Sequence, residues 1–168
     1  MVTSIRVQTE ADFDVVAAVH VRSIQASYAG LLPAAHLASL DPVVFAERRR
    51  SLHGRPGLHT LIAEQDLRIV GFASFGLDRD DPGPGELYSI YVDPGEWGTD
   101  AGWRLFAEAR RILKDDSYPE MRLWVLSANE RARRFYERAG MTTDGVPAPH
   151  RLLDVGIELP KLRYRARL

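Results

Sequence analysis

The chain has 168 residues, 45% of them hydrophobic and 27% charged, with a formal net charge of -1 at pH 7. That length and balance fit one domain, 1–168, around a single core, and the near-neutral charge argues against a nucleic-acid binder. With no cysteine, disulfides, thiolate metal sites and thiol nucleophiles are excluded, and the five histidines show no metal-ligand spacing, so no metal is expected.

In chain order, residues 5–7 predict a short strand. Thr9, with Asp12 three residues on, reads as a helix N-cap, and Phe13, Val16, Ala17, His20 and Ile24 follow near helical spacing. That helix should end before Gly30, with Pro33 beyond it. Residues 33–40 and 42–52 predict two short helices. Residues 58–64 and 68–75 predict a hairpin around a polar turn at Gln65 and Asp66. The stretch 78–85 is dense in Asp, Pro and Gly and reads as an exposed connection. Residues 86–92 predict a strand. Residues 102–113 predict a helix with an apolar stripe of Leu105, Phe106, Ala109, Ile112 and Leu113. The nearly all-apolar run 121–126 predicts a strand buried on both faces. A helix over 128–139 should be capped by Gly140 in the left-handed conformation. The tail predicts one or two strands, at 156–159 and 162–165. Hairpins together with a strand–helix–strand crossover predict a mixed sheet. No apolar run approaches the ~20 residues that span a bilayer, and the first residues lack a signal-peptide apolar region. A cytoplasmic protein with no membrane partner is expected.

Two segments carry chemistry. In the first, Gly98, Thr99, Asp100, Ala101 and Gly102 lead from a turn into a helix. Unpaired N–H groups and the helix dipole make such an entry a phosphate cradle, although small residues there equally serve a plain turn. Glu86 opens the preceding strand, either as a general base or as a solvated strand-end charge. In the second, Ser127 and Glu130 have capping-box spacing, Asn129 falls in the first turn of the helix, and Phe135 and Tyr136 point about 100° apart. Tyr136 is then either a core tyrosine with one satisfied hydrogen bond or a phenol placed at a site.

The wording Glu-Leu-x-x-Ile-Tyr-Val-x-Pro running into Trp-Gly-x-x-Ala-Gly-x-x-Leu resembles the GNAT superfamily of N-acetyltransferases. So does Leu-Trp-Val-Leu-x-x-Asn-x-x-Ala-x-x-Phe-Tyr-x-x-x-Gly. The resemblance implies an α/β fold: a central mixed, mostly antiparallel sheet of six to seven strands, flanked by helices and splayed into a V that takes acetyl-CoA. It implies pantetheine contacts at Tyr91, Val92 and Asn129, and pyrophosphate over Gly98, Thr99, Ala101 and Gly102. It also implies Tyr136 as general acid and Glu86 as base. Tyr28, Leu31 and Leu32 resemble the acceptor side of one bacterial branch, which usually has Trp where this chain has Ile24. Asp78, Asp80 and Asp81 would add a negative rim attracting amines. The implied reaction moves an acetyl group to a primary amine of a small molecule or peptide by direct attack, and a homodimer is compatible with the family. Two positions depart from the pattern: Trp97 opens the phosphate loop, and Asp100 replaces its middle glycine. As an N-cap, Asp100 would compete with phosphate for the same N–H groups, which keeps open a CoA-binding module that no longer acylates anything.

Overall fold

The computed structural model describes residues 2–152 and 156–168. Its strands are β1 (Thr3–Val7), β2 (His59–Gln65), β3 (Arg68–Leu77), β4 (Gly85–Val92), β5 (Glu120–Leu126), β6 (Thr142–Thr143), β7 (Ala148–Leu152) and β8 (Ile157–Arg167). The helices are α1 (Phe13–Ser27), α2 (Ala34–Ala38), α3 (Pro42–Leu52), α4 (Ala101–Asp115) and α5 (Glu130–Arg138). Among the described residues, eight strands form one sheet in the order β1-β2-β3-β4-β5-β8-β6, with β7 also on β8. This is a mixed α/β architecture, mostly antiparallel, with one strand more than the upper expectation. Its only parallel ladder among the described residues joins β4 to β5 across the α4 crossover.

The sheet is covered unevenly. α4 and α5 bring Leu105, Phe106, Ala109, Leu113 and Tyr136 into a core with the inward residues of β2, β3, β5 and β8. On the opposite face Val16 of α1 packs against Ile62, Phe72 and Tyr91. β5 alternates: Met121, Leu123 and Val125 are buried, while Arg122, Trp124 and Leu126 are half-exposed. The expectation of burial on both faces fails because no helix among the described residues covers the second face of this strand; that face looks into an opening.

Other differences are local. The hairpin turn is Asp66–Leu67, both left-handed (φ 49° and 63°), as a two-residue turn between twisted strands requires. Gln65 instead ends β2, buried, where its Nε2 donates to the Thr3 hydroxyl at 2.9 Å. The tail forms a single strand through Pro160, which stands opposite Pro149 of β7. Two prolines can face each other where an antiparallel ladder exchanges no hydrogen bonds, so neither missing N–H breaks a bond between β7 and β8. No helix among the described residues is long and apolar enough to cross a membrane.

Candidate active site

The opening begins as a defect in pairing. β4 and β5 pair only at Gly85 with Met121 and at Glu86 with Arg122. Immediately beyond, the β3–β4 register shifts: Phe75 faces Leu87 while Ser74 faces Ser89, leaving Tyr88 as the extra residue of a bulge. The bulge bends β4 away, and the two strands part toward their C-terminal ends. The resulting V is a cleft of about 510 Å³ walled by residues 87–92 on one side and 124–126 on the other.

The edge of β4 that faces the cleft has free backbone groups. Asp93 donates its N–H to the Val70 carbonyl at 2.7 Å, toward β3. Successive N–H groups alternate between the edges of a strand, so those of Ile90 and Val92 point into the V, and that of Tyr91 does not. The Val92 carbonyl, on the same edge, accepts from Trp97 Nε1 at 2.9 Å and from the Ser23 hydroxyl at 3.0 Å.

α4 begins beside this edge. Gly98 has a left-handed φ of 89°, which lets the chain reverse into the helix. Thr99 accepts the Ala101 N–H at 3.4 Å through its hydroxyl, while Gly102 and Trp103 donate to no described backbone group. Asp100 stands at the N-cap, but its side chain makes no capping hydrogen bond. Its carboxylate accepts from the Thr3 hydroxyl and the Arg104 guanidinium, which hold it below the usual carboxylate range. It is therefore turned away from the N–H groups that the N-cap reading gave it, and its charge is paired. Of the expected phosphate-loop residues, Gly102 lines the cleft; Gly98, Thr99, Asp100 and Ala101 form the turn behind it.

α5 supplies the other wall. Its N-cap is Asn129, whose Oδ1 accepts the Ala132 N–H at 3.1 Å. The capping-box reading of Ser127 fails because the helix starts later; the Ser127 hydroxyl is buried with no described partner. Asn129 lines the cleft with its amide nitrogen uncommitted to the helix. At the far end Gly140 (φ 80°) closes a Schellman motif, with Met141 N–H on the Tyr136 carbonyl at 3.0 Å and Gly140 N–H on that of Glu137 at 3.1 Å. This fixes the backbone at Tyr136. Its ring packs against Phe135 and Phe106 and leaves the phenol on the cleft wall, 8% exposed, with no described hydrogen-bond partner. Burial, with the Tyr28 phenol nearby, raises its pKa, so the hydroxyl is protonated at neutral pH.

The remaining expected residues divide. Tyr28, the C-cap of α1, reaches the cleft and shares a 3.2 Å hydrogen bond with the Tyr91 phenol. Leu31 and Leu32 do not reach it; their N–H groups fold back onto the Tyr28 carbonyl and Leu32 is buried beneath the loop. Glu86 sits at the vertex, 2% exposed, and is not on the cleft wall. Arg79 closes over it, donating its backbone N–H and its Nε at 3.0 Å each and a terminal nitrogen to the other oxygen. Of the expected acidic rim, Asp80 is exposed but off the cleft wall, and the other two acids are spent internally. Asp78 accepts the N–H groups of Asp80 and Asp81, and Asp81 pairs with Arg122 at 2.8 Å.

Several cleft residues were not anticipated from sequence. Arg131 lies over the Trp97 ring, 3.4 Å from its centroid, with no carboxylate partner among the described residues. Trp124, His150 and Lys161 line the opposite face. Trp97 and Arg131 lie in the two motifs 34 positions apart, and neither residue alone signals the stack.

The family model described as acetyltransferase (GNAT) family matches residues 22–141. A Mycobacterium tuberculosis strain H37Rv protein named a probable N-acetyltransferase is 30% identical over 164 residues, covering 96% of this chain and 91% of that one. An uncharacterized N-acetyltransferase of Bacillus subtilis strain 168 is 32% identical over 124 residues, covering 70% and 68%. The crystal structure of PaiA N-acetyltransferase from Thermoplasma acidophilum in complex with coenzyme A superimposes with a TM-score of 0.81 at 19% identity, over 100% of both chains. The chain belongs to the acetyltransferase (GNAT) family and is an acyl-CoA-dependent N-acetyltransferase.

Proposed function

We propose that this chain, as one domain over 1–168, transfers the acetyl group of acetyl-CoA to a primary amine of a small-molecule or peptide acceptor by direct attack. The observation that carries the reading is the cleft opened where β4 leaves β5 after two paired residues, with a protonated phenol on its wall. The residues present fit the co-substrate. Among the described residues, Gly102 and Trp103 offer free N–H groups at the entry of α4, and Arg131 is a cation beside them with no carboxylate partner. The Asn129 amide and the Ile90 and Val92 N–H groups suit an amide-bearing pantetheine arm. The feature that favoured a non-catalytic module, Asp100, faces Thr3 and Arg104 instead of the helix entry.

In the reaction the amine nitrogen attacks the thioester carbonyl carbon. A C–N bond forms, the C–S bond breaks, and the nitrogen loses a proton. A β4 N–H aimed into the V, at Ile90 or Val92, steadies the oxyanion. Tyr136 donates its proton to the departing thiolate. We assign the amine proton to Glu86 by way of water, because Arg79 and Tyr88 stand between its carboxylate and the cleft. No cysteine is present to form an acyl-enzyme. The test is amine-dependent thiol release from acetyl-CoA. Turnover with a panel of primary amines supports the transferase reading, and acetyl-CoA binding without turnover on any amine would leave only a binding module.

A further inference from the structure

The cleft walls carry Arg79, Arg131 and Lys161, and no aspartate or glutamate among the described residues. The three cations are not equivalent. Arg131 stands with Trp97 at the α4 entry, where the phosphates of the co-substrate belong. Arg79 is neutralised by Glu86. Lys161 is left over.

Its position follows from the sheet. Along β5, Val125 faces the α4–α5 core, so Trp124 and Leu126 face the other way. Lys161 lies directly opposite Leu126 in the β5–β8 ladder, and residues directly opposite share a face. Lys161 Nζ sits 4.1 Å from the centroid of the Trp124 ring and meets no carboxylate among the described residues. Arg163 approaches the same ring at 5.4 Å. His150, also on the wall, has its pKa lowered by burial and by the charge of Lys161. Of the acids nearest in sequence to Arg79, Asp78 accepts from its own loop and Asp81 pairs with Arg122, while Asp80 is exposed and off the cleft wall. A polyamine or a cationic amine entering from this face would meet a cation over an indole and, among the described residues, no counter-charge on the wall.

We propose that the acceptor carries a carboxylate beside its primary amine, an α-amino acid being the simplest form, and that Lys161 over Trp124 reads that carboxylate. The Trp124 ring gives the apolar part of the acceptor a surface. This deepens the transferase reading and rests on it.

The test uses phenylalanine and leucine, each against its own α-carboxamide, at equal concentrations of free amine because the amide's amine is the more acidic. For the wild type, kcat/KM should favour the carboxylates by about tenfold or more, the equivalent of ~1.4 kcal/mol. Lys161→Met should bring the ratio to about one, chiefly through KM, with acetyl-CoA binding by calorimetry unchanged. Amides acetylated as well as or better than the acids would overturn the inference and leave the transferase standing, as would a ratio that survives Lys161→Met. If none of the four is acetylated, N-acetylphenylalanine and its amide are titrated into the CoA-loaded protein. Tighter binding of the acid, lost in Lys161→Met, supports the inference; equal binding overturns it. Failure of acetyl-CoA itself to bind would instead remove the reading on which it rests.

Discussion

Tyr136 offers a protonated phenol on the cleft wall while its ring packs against Phe106 and Phe135. Phe at this position keeps the packing and removes the proton. Tyr136→Phe should lower kcat by about 10- to 10³-fold with little change in KM for acetyl-CoA, because the phenol acts mainly in the transition state. A variant with wild-type kcat would return Tyr136 to the core. Glu86→Gln preserves shape and removes basicity. It should lower kcat/KM and shift the acidic limb of its pH profile. A lowered kcat/KM with an unmoved limb would assign Glu86 to holding Arg79 and nothing more. Ser127 separates two accounts of the α5 entry. Its hydroxyl is buried without a described partner, whereas Asn129 makes the capping bond. Asn129→Ala should destabilise the protein by about 1 kcal/mol. Ser127→Ala should be neutral or stabilising by up to ~1 kcal/mol, since it removes an unsatisfied group. A thermal midpoint falling in Ser127→Ala as far as in Asn129→Ala would restore Ser127 as the cap.

Elements with strong periodicity were legible in the sequence, and those defined by pairing were not. The stripe Leu105, Phe106, Ala109, Leu113 is the buried face of α4, and Gly140 caps α5 in the left-handed conformation as its position demanded. β6 has two residues and β7 carries a proline and two basic residues, so neither shows alternation; both exist because β8 offers an edge. The vertex of the V was equally hidden. It is made by the extra residue at Tyr88, and no spacing in β4 marks that residue as extra. The phosphate end was half legible. The entry to α4 announced itself through glycine, but the cation that completes it comes from α5, stacked on Trp97. Trp97 is fixed in turn by its bond to the Val92 carbonyl. The two helices and the β4 edge therefore converge on one spot, which gives Arg131 a defined place despite a long side chain. Arg131→Met keeps most of the stacked stem and removes the charge. Acetyl-CoA affinity should fall about tenfold, ~1.4 kcal/mol, with kcat at saturation nearly unchanged. Equal affinity by calorimetric titration would mean that the stack serves packing alone.

At the scale of the whole molecule, the face opposite α4 and α5 depends on a histidine packed among aromatic rings. α1 and α3 pack together on that face, and His20 of α1 lies among Phe45, Phe72 and Tyr91, with ring centroids 4.8 to 4.9 Å away. Arg49 of α3 donates to its Nδ1 at 3.2 Å and lies over the Phe72 ring. A donor on Nδ1 requires that nitrogen to be the acceptor, so the imidazole is neutral. Burial, then the charges of Arg49 and Arg48, lower its pKa from 6.5 to about 3. The unfolded chain therefore binds a proton between about pH 6.5 and pH 3 that the folded chain refuses. Stability from this group is complete above pH 6.5 and declines as pH falls through that value. Between pH 7.5 and pH 5 the loss is about 2 kcal/mol, or roughly 4–8 °C in thermal midpoint for a chain of this size. The strongly depressed carboxyl of Asp12, bonded to Arg6 and Thr9, titrates far below this window in the fold and near pH 4 when unfolded, so it does not contribute there. His150, whose pKa burial lowers in the same direction, adds to the slope. His20→Gln removes the titrating group and keeps an acceptor for Arg49. Its midpoint should start lower than that of the wild type at pH 7.5 and fall by less than half as much on going to pH 5. A wild-type midpoint that stays flat across this range would show that the imidazole takes up its proton inside the fold, with the Arg49 contact giving way to admit it.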